Sequence, residues 1–273
     1  MIEVGKVVLV TGISSGIGRE TARLLSERGF QVYGSMRDPG RVEPIRGVEV
    51  LKLDVTDDGS AVEVVHSVLE REGQIFALVN NAGYALMGAL EETSLQEAHE
   101  QFEANFFGVL RMVKAVLPIM RGQGSGRIVN ISSVVGIIPQ PYMGLYTATK
   151  HALEGYTETL DHEVRQFGIL VSLIEPGFTR TSLGTNGKTT GMNVDAYTAQ
   201  REQALAFVQQ QILHGANPHP VAQAVLRALT ADSPHLHYRV GTPVNLIIAL
   251  KGLLPEGAFH QVVRRVFQIQ EMS

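Results

Sequence analysis

Short apolar runs alternate with longer amphipathic segments along most of the chain. The runs consist mainly of Val, Ile and Leu without strict alternation, as expected of strands that are covered on both faces. They span residues 6–10, 31–36, 48–54, 75–81, 127–132 and 169–175. Between most of these runs, apolar residues recur at three- and four-residue spacing, which is the period of an amphipathic helix. The predicted helices span residues 16–28, 57–71, 94–120 and 143–166.

This order of elements predicts the fold class. Strands that alternate with helices form parallel sheets with right-handed crossovers. We therefore predict an α/β protein with a doubly wound parallel sheet and helices on both faces. Ligands bind such sheets at the carboxyl ends of the strands.

The last third of the chain departs from the alternation. Segment 182–203 contains many Gly, Thr and Asn residues and shows no apolar period, which predicts a long loop. A loop of this length inside a compact domain is more often functional than passive, so we expect it to act as a substrate lid. Residues 204–273 are expected to form a helical C-terminal extension. Its predicted elements are helices near 219–231, 243–253 and 256–269 and a short strand at 237–241.

Composition narrows the possible functions. The chain has 273 residues, of which 44% are hydrophobic and 18% charged, and no linker or repeat divides it, so we expect residues 1–273 to form a single domain. A net charge of -4 without Lys/Arg runs argues against a nucleic-acid partner. The absence of cysteine excludes disulfides and thiolate metal sites and favours a cytoplasmic location. We expect neither a signal peptide nor a transmembrane segment, because the apolar stretch at 245–254 is too short to span a bilayer.

The sequence "TGISSGIG" at residues 11–18 joins the first predicted strand to the first predicted helix. Gly12, Gly16 and Gly18 allow a sharp turn and close approach of a ligand, and a helix N-terminus presents free N–H groups to a pyrophosphate. This placement favours a dinucleotide over a plain glycine turn. No Gly-Lys-Ser/Thr follows, which argues against a loop that binds nucleotide triphosphates.

The same segment resembles the Thr-Gly-x-x-x-Gly-x-Gly motif of the short-chain dehydrogenase/reductase family, and further family motifs follow in order. They are "NNAG" at 80–83, the asparagine of "NFFG" at Asn105, Ser133, "YTATK" at 146–150, and "PG" at 176–177. The tail and "YGSMRDP" resemble the hydroxysteroid and retinol dehydrogenase branch. The resemblance implies a Rossmann-like fold, a nicotinamide cofactor, and a homodimer or homotetramer.

Tyr146 and Lys150 lie four residues apart in a predicted helix, so their side chains would share one face. An isolated pair of this kind is usually a surface pair, but the surrounding motifs favour a catalytic one. A neighbouring cation stabilises the phenolate, so Lys150, helped by the positive charge of an oxidised nicotinamide, would lower the pKa of Tyr146. We therefore expect Tyr146 to be the general acid/base of hydride transfer between a nicotinamide and a carbonyl or alcohol carbon, with Lys150 tuning it.

The resemblance assigns further catalytic roles. Ser133 would hydrogen-bond the substrate oxygen, with Ser132 as its structural rival. Asn105 would hold a water that links the lysine to a proton relay, or would instead be a structural amide inside a bent helix. Asn80 is expected to fix strand positions. None of the nine histidines forms His-Glu-x-x-His or another recognised ligand motif, so we expect no metal.

Arg37 follows the second strand where many dinucleotide-binding folds carry an acidic residue, and its guanidinium suits a 2′-phosphate, so NADP(H) is the expected cofactor. The alternatives are that "RDPG" is only a turn, or that Asp38 reaches the ribose and favours NAD(H). The family resemblance implies that Asp54 and Val55, at the end of the third strand, contact the adenine ring, although Asp54 could equally be a helix cap. The predicted cofactor contacts are Gly12, Ser14, Ser15, Gly16, Ile17, Gly18, Arg37, Asp54, Val55, Asn81, Ala82, Gly83, Tyr146, Lys150, Pro176, Gly177, Thr179 and Thr181.

Apolar residues near the lid and before Tyr146 are candidates for the substrate pocket. They are Met143, Phe178 and Leu183, with Leu145 and Met192 as further candidates. An apolar pocket suits a small, hydrophobic ketone, aldehyde or alcohol. Some of these residues could instead fill the core or a subunit contact. The alternative functions are a 3-oxoacyl-thioester (acyl-carrier-protein) reductase and a non-catalytic nucleotide-sensing module.

Overall fold

The computed structural model describes residues 5–180 and 187–267 of the protein. Within these residues, seven strands form one parallel sheet. In chain order the strands are β1 (Val7–Thr11), β2 (Gln31–Met36), β3 (Val48–Lys52), β4 (Ala77–Asn80), β6 (Gly126–Ile131), β7 (Ile169–Pro176) and β9 (His237–Val240). Their spatial order is β3-β2-β1-β4-β6-β7-β9. The strand order reverses between β1 and β4, which is where ligands bind such sheets.

Helices cover the sheet on both sides. They are α1 (Gly16–Glu27), α2 (Asp58–Glu72), α3 (Leu95–Phe102), α4 (Gly108–Gln123), α5 (Gly144–Val164), α6 (Thr198–Leu213), α7 (His219–Thr230), α8 (Thr242–Leu253) and α9 (Glu256–Val266). Val7 and Leu9 of β1 pack in one apolar cluster with α2, α4 and α5, while Val8 and Val10 pack in a second with α1 and α7. This alternation follows from the two-residue period of a strand, and it confirms the predicted doubly wound α/β fold.

A third apolar cluster covers the carboxyl ends of the strands. It contains Val208 and Ile212 from α6, Val244 from α8 and Phe259 from α9, together with Tyr146 at the start of α5. The C-terminal helices therefore bury the candidate catalytic tyrosine. Among the described residues, no helix combines the length and the hydropathy that a membrane span needs.

The prediction of one regular α-helix at 94–120 is wrong. The structure divides it into α3, a π-helical turn at Glu103–Phe107, and α4. A π turn inserts one extra residue into a helix, and such turns are frequent at functional sites. The hydrophobic period continues through it, so sequence periodicity alone did not reveal the break.

The predicted loop at 182–203 is also partly wrong. Lys188–Thr189 forms β8, which pairs in parallel with β5 (Leu86–Met87), and α6 begins at Thr198. The buried residues of α6 include Ala204, Val208 and Ile212, at four-residue spacing, but its many glutamines obscured this period. The lid function of 182–203, the extension at 204–273 and the single-domain division stay predictions.

Candidate active site

The carboxyl ends of β1, β4, β6 and β7 border a cleft of about 780 Å³. Most of the predicted site residues line it. These are Gly12, Ser14, Ser15, Gly16, Ile17, Arg37, Asp54, Val55, Asn81, Ala82, Gly83, Asn105, Ser133, Met143, Tyr146, Lys150, Pro176, Gly177, Phe178 and Thr179. The sequence motifs, which are widely separated along the chain, therefore meet in one place.

The turn after β1 is tightly packed against β4. Gly12 has a positive φ of +73°, and a Cβ placed there would lie 2.8 Å from the Ala82 Cα. The Asn81 side-chain amide donates hydrogen bonds to the carbonyl oxygens of Thr11 and Gly12, both at 2.9 Å. Gly18 lies behind the cleft, where a Cβ would be 2.3 Å from the Gly12 carbonyl oxygen. Only glycine fits at these two positions, so the chain keeps a narrow cradle at the α1 N-terminus.

This cradle fits the pyrophosphate of a dinucleotide. The first turn of α1 begins at Gly16 and borders the cleft beside Ser14 and Ser15. Free backbone N–H groups and the helix dipole make such a terminus favourable for an anion. Residues that could hold the rest of a nicotinamide dinucleotide continue along the cleft from Arg37 to Thr179.

Tyr146 and Lys150 share one face of α5, as expected from their spacing. Both are buried, with exposures of 7% and 8%, and the Lys150 ammonium nitrogen lies 5.8 Å from the centroid of the Tyr146 ring. The ammonium donates a hydrogen bond to the Ile131 carbonyl oxygen at 2.7 Å, which anchors it at the end of β6. The Tyr146 hydroxyl interacts with the side chain of Ser133, the second residue after that strand.

The expected lowering of the tyrosine pKa is wrong for the protein groups alone. Burial raises the pKa of Tyr146 to about 12, and the hydrogen bond with Ser133 opposes this rise only in part. Burial lowers the pKa of Lys150 to about 8, while the negative charge of Glu154 acts in the opposite direction. Desolvation disfavours the charged form of each group and outweighs the attraction between a phenolate and a neighbouring ammonium.

Asn105 lies in the π turn and is buried, with 1% exposure. Its amide nitrogen donates to the Tyr84 carbonyl oxygen at 2.8 Å, and its carbonyl oxygen accepts from the Tyr84 N–H at 3.0 Å. The nitrogen also lies 3.4 Å from the Thr149 hydroxyl. Asn105 therefore ties the bent helix to the segment after β4 and to α5, in line with the structural alternative. Its role in a proton relay stays a prediction.

Two residues of opposite charge, Arg37 and Asp38, line the cleft after β2. Asp54 borders the same region, and burial alone would raise its pKa. Hydrogen bonds from the Thr56 backbone and hydroxyl, together with the positive charges of Arg37 and Arg111, outweigh burial and lower the pKa of Asp54. Asp54 is thus an anion in an Asx-type turn before α2, whose N-cap is Asp57 instead.

Some predicted residues lie elsewhere. Leu145 and Met192 do not border the cleft, and Met192 is 51% exposed. Thr181 and Leu183 lie outside the described residues. Asn80 donates to the Asn130 side chain at 2.9 Å, in line with the expected structural role between β4 and β6.

A family model described as short chain dehydrogenase matches residues 6–191, which is more than half of the chain. The chain belongs to the short-chain dehydrogenase family. A 3-ketodihydrosphingosine reductase from Bacteroides thetaiotaomicron is 37% identical over 269 residues, covering 97% of this chain and 99% of the relative. Retinol dehydrogenase 8 from Bos taurus is 34% identical over 281 residues, covering 95% and 89% respectively, in agreement with the predicted branch.

A solved member of the family from Burkholderia phymatum, in complex with NAD, has a TM-score of 0.80 and 27% identity to this short-chain dehydrogenase. The similarity covers 92% of this chain and 94% of that one. The match extends well beyond the cradle, so the whole sheet and its covering helices follow the family architecture.

Sequence reasoning missed several residues of this short-chain dehydrogenase. Tyr84, Gln140, Lys188, Val208 and Ile212 also border the cleft. A second group lies behind it, where Glu154, Glu158 and His237 bring potential ligand atoms within 4.8 Å of one another. The spacing of Glu154 and Glu158, one helical turn apart and following Lys150, was a usable signal, but His237 joins them only through the sheet.

Proposed function

We propose that the chain is an NADP(H)-dependent oxidoreductase that interconverts a ketone or aldehyde and an alcohol on a hydrophobic substrate, with Tyr146 as general acid/base. The observation that carries this proposal is the placement of Tyr146. It lies buried beside Ser133 and Lys150, on the same cleft as the glycine cradle. A bound nicotinamide would supply or accept the hydride there.

The chain's own residues would manage the proton and the oxygen. In the reducing direction, the Ser133 hydroxyl orients the substrate oxygen and stabilises charge as it develops. The Tyr146 hydroxyl donates a proton to that oxygen, and a pKa of about 12 keeps this donor protonated at neutral pH. The Lys150 ammonium, anchored on the Ile131 carbonyl oxygen, stabilises the phenolate that remains. In oxidation the same groups act in reverse.

The preference for NADP(H) rests on Arg37. Its guanidinium borders the cleft at the end of β2, where it suits a 2′-phosphate, and the strand ends in Met36 with no carboxylate to repel that group. Asp38 lies on the same border and supports the alternative, NAD(H), if it reaches the ribose.

The hydrophobic character of the substrate rests on the cleft lining near Tyr146. Met143, Phe178, Val208 and Ile212 provide apolar surface there. The relatives named for retinol and for 3-ketodihydrosphingosine support a lipid-like carbonyl compound or alcohol. We therefore place long-chain and ring-shaped lipid ketones and alcohols first in a substrate screen. The homodimer or homotetramer and the cytoplasmic location stay predictions from the sequence.

The substitution Tyr146→Phe tests the proposed chemistry. We expect turnover of the best substrate in an NADPH-consumption screen to fall by at least about a hundredfold, because the proton donor is lost, with cofactor affinity retained. The screen includes lipid ketones, retinoids and 3-oxoacyl thioesters. Binding of NADPH is measured separately by calorimetry.

Tyr156→Phe is the matched control. Tyr156 lies on the same helix in the apolar layer against α4, its hydroxyl also has a pKa raised by burial to about 12, and it does not border the cleft. This variant should keep its turnover. Unchanged turnover in Tyr146→Phe would remove Tyr146 from the proposed role.

A further inference from the structure

Glu154 is a buried carboxyl on the same helix as the candidate catalytic lysine. It lies on α5 one turn after Lys150, with 8% exposure. Its Oε1 atom accepts a hydrogen bond from the hydroxyl of Ser132, the first residue after β6. Gly136 packs on this contact, since a Cβ there would lie 2.9 Å from Oε1 of Glu154. The carboxyl is thus fixed next to the residue that precedes Ser133.

Titratable groups from three elements face this carboxyl. Helix α5 contributes Lys150 and Glu158, β7 contributes Glu175, and β9 contributes His237. The Nδ1 atom of His237 lies 3.9 Å from Oε2 of Glu154 and 2.5 Å from Oε1 of Glu175, and its Nε2 atom lies 3.6 Å from Oε1 of Glu158. The side chains of His237 and Glu158 are 32% and 51% exposed, so they connect the buried carboxyl with solvent.

Burial and the neighbouring charges bring the pKa of Glu154 close to neutral pH. Burial raises the pKa of Glu154 to about 7, the hydrogen bond from Ser132 opposes the rise, Glu175 and Glu158 add to it, and His237 opposes it. Arg239, whose Nε atom lies 3.3 Å from Oε2 of Glu175, offsets part of the negative charge. The Glu154 carboxylate in turn raises the pKa of Lys150, one helical turn earlier on α5, against the effect of burial.

We propose that Glu154 is a positioning residue for the reaction, whose buried carboxylate, held by Ser132 and linked to solvent through His237, keeps the Lys150 ammonium charged during turnover. The inference rests on the proposed role of Lys150. Without the carboxylate, a buried ammonium with no anion nearby loses its proton more readily. Lys150 then can no longer stabilise the phenolate of Tyr146, so the pH range of activity narrows on its alkaline side.

The test measures the protonation of Lys150 directly and without turnover. Lysine side chains labelled with ¹³C are titrated by NMR, and the Lys150 signal is assigned from its loss in Lys150→Arg. In Glu154→Gln we expect its titration midpoint to fall by about one pH unit. The alkaline limb of the kcat/KM profile should fall by the same amount, whereas a merely structural role would lower activity at all pH values alike.

Two variants of the cluster serve as controls. Glu158→Gln removes an equal charge from an exposed position on the same helix and should leave the limb in place. His237→Gln removes a side chain whose Nδ1 atom lies 3.9 Å from Oε2 of Glu154 but leaves the carboxylate and its bond from Ser132 in place, so it should shift the limb less than Glu154→Gln. Both profiles should be the same with and without EDTA.

The outcomes separate this proposal from the proposed function. An unmoved Lys150 titration in Glu154→Gln would overturn the inference whatever the activity. A shifted Lys150 titration with an unchanged alkaline limb of kcat/KM would also overturn it. A pH profile that EDTA alters would overturn it as well, because it would indicate a cation bound by Glu154, Glu158 and His237. Failure of the proposed function would appear instead as unchanged turnover in Tyr146→Phe.

Discussion

At the scale of the residue, the proposed cofactor preference rests on two neighbours of opposite charge. Arg37 and Asp38 follow β2 and both border the cleft, so the same turn offers a cation suited to a 2′-phosphate and an anion suited to the ribose hydroxyls. A guanidinium binds phosphate in a bidentate way, whereas a carboxylate repels it. Which of the two side chains faces the adenosine ribose decides between NADP(H) and NAD(H).

We expect Arg37→Ser to lower kcat/KM for NADPH by about ten- to a hundredfold, because hydrogen bonds to charged groups contribute about 1.5–3 kcal/mol each. The value for NADH should change little. Steady-state kinetics with both cofactors measures this. Arg121→Ser, which removes a charge in the last turn of α4, is the control. The role of Arg37 would be contradicted if the unaltered protein preferred NADH and if Asp38→Asn greatly lowered its activity with NADH.

At the scale of the element, acidic residues near α3 hold the segment that leads into α6. Glu92 is fully buried before α3, and its carboxylate accepts hydrogen bonds from the Ala89 N–H at 3.0 Å and the Val194 N–H at 2.9 Å. It also pairs with Arg201 of α6. Glu97 accepts from the Gly191 N–H at 2.8 Å. The predicted lid region is therefore held at its C-terminal side by specific contacts to the body of the protein.

We expect Glu92→Ala to loosen residues 187–201, because it leaves Arg201 and two backbone N–H groups without their buried acceptor. Limited proteolysis in this segment should accelerate by about tenfold or more, since local opening precedes cleavage. KM should rise more than kcat falls.

Glu91→Ala is the matched control for this prediction. Glu91 is exposed, and its carboxylate accepts a hydrogen bond from the Tyr197 hydroxyl at 2.8 Å. Its loss should leave the cleavage rate nearly unchanged, because exposed contacts contribute little. Equal cleavage rates in both variants would show that Glu92 does not hold the segment.

At the scale of the whole molecule, the site is built at a cost to stability. Covering the strand ends with α6, α8 and α9 buries Tyr146, and the sheet buries Glu154 beside Glu175. The pKa of Glu154 is raised from 4.5 to about 7, so the folded protein binds more protons than the unfolded chain within this window. The contribution of Glu154 to stability is therefore favourable below about pH 4.5 and is lost as the pH rises to about 7.

We expect Glu154→Gln to increase the free energy of unfolding more at pH 8 than at pH 5, by up to about 3 kcal/mol. The amide is of similar size and removes the cost of a buried charge. Urea unfolding at the two pH values measures the difference. Glu158→Gln, at the exposed position, should show almost no difference between the two pH values. The assignment would be contradicted if Glu154→Gln increased the free energy of unfolding less at pH 8 than at pH 5.

The sequence by itself determined the fold class, the glycine cradle and the shared face of Tyr146 and Lys150. These features depend on local spacing: two residues for a buried strand, three or four for a helix face, and glycines where a turn leaves no room for a Cβ. The position of Ser133 after β6 follows from the same local order. Most residues that the motifs and the family resemblance selected line one cleft.

Only the tertiary structure decided how those groups are charged and held. His237 meets Glu154 because β7 pairs with β9, and Tyr146 has a raised pKa because distant helices exclude water from it. The π turn at Asn105 and the buried face of α6 likewise depend on packing that a single sequence shows only weakly. Burial and long-range pairing are properties of the folded chain, and they set the desolvation that determines proton affinity.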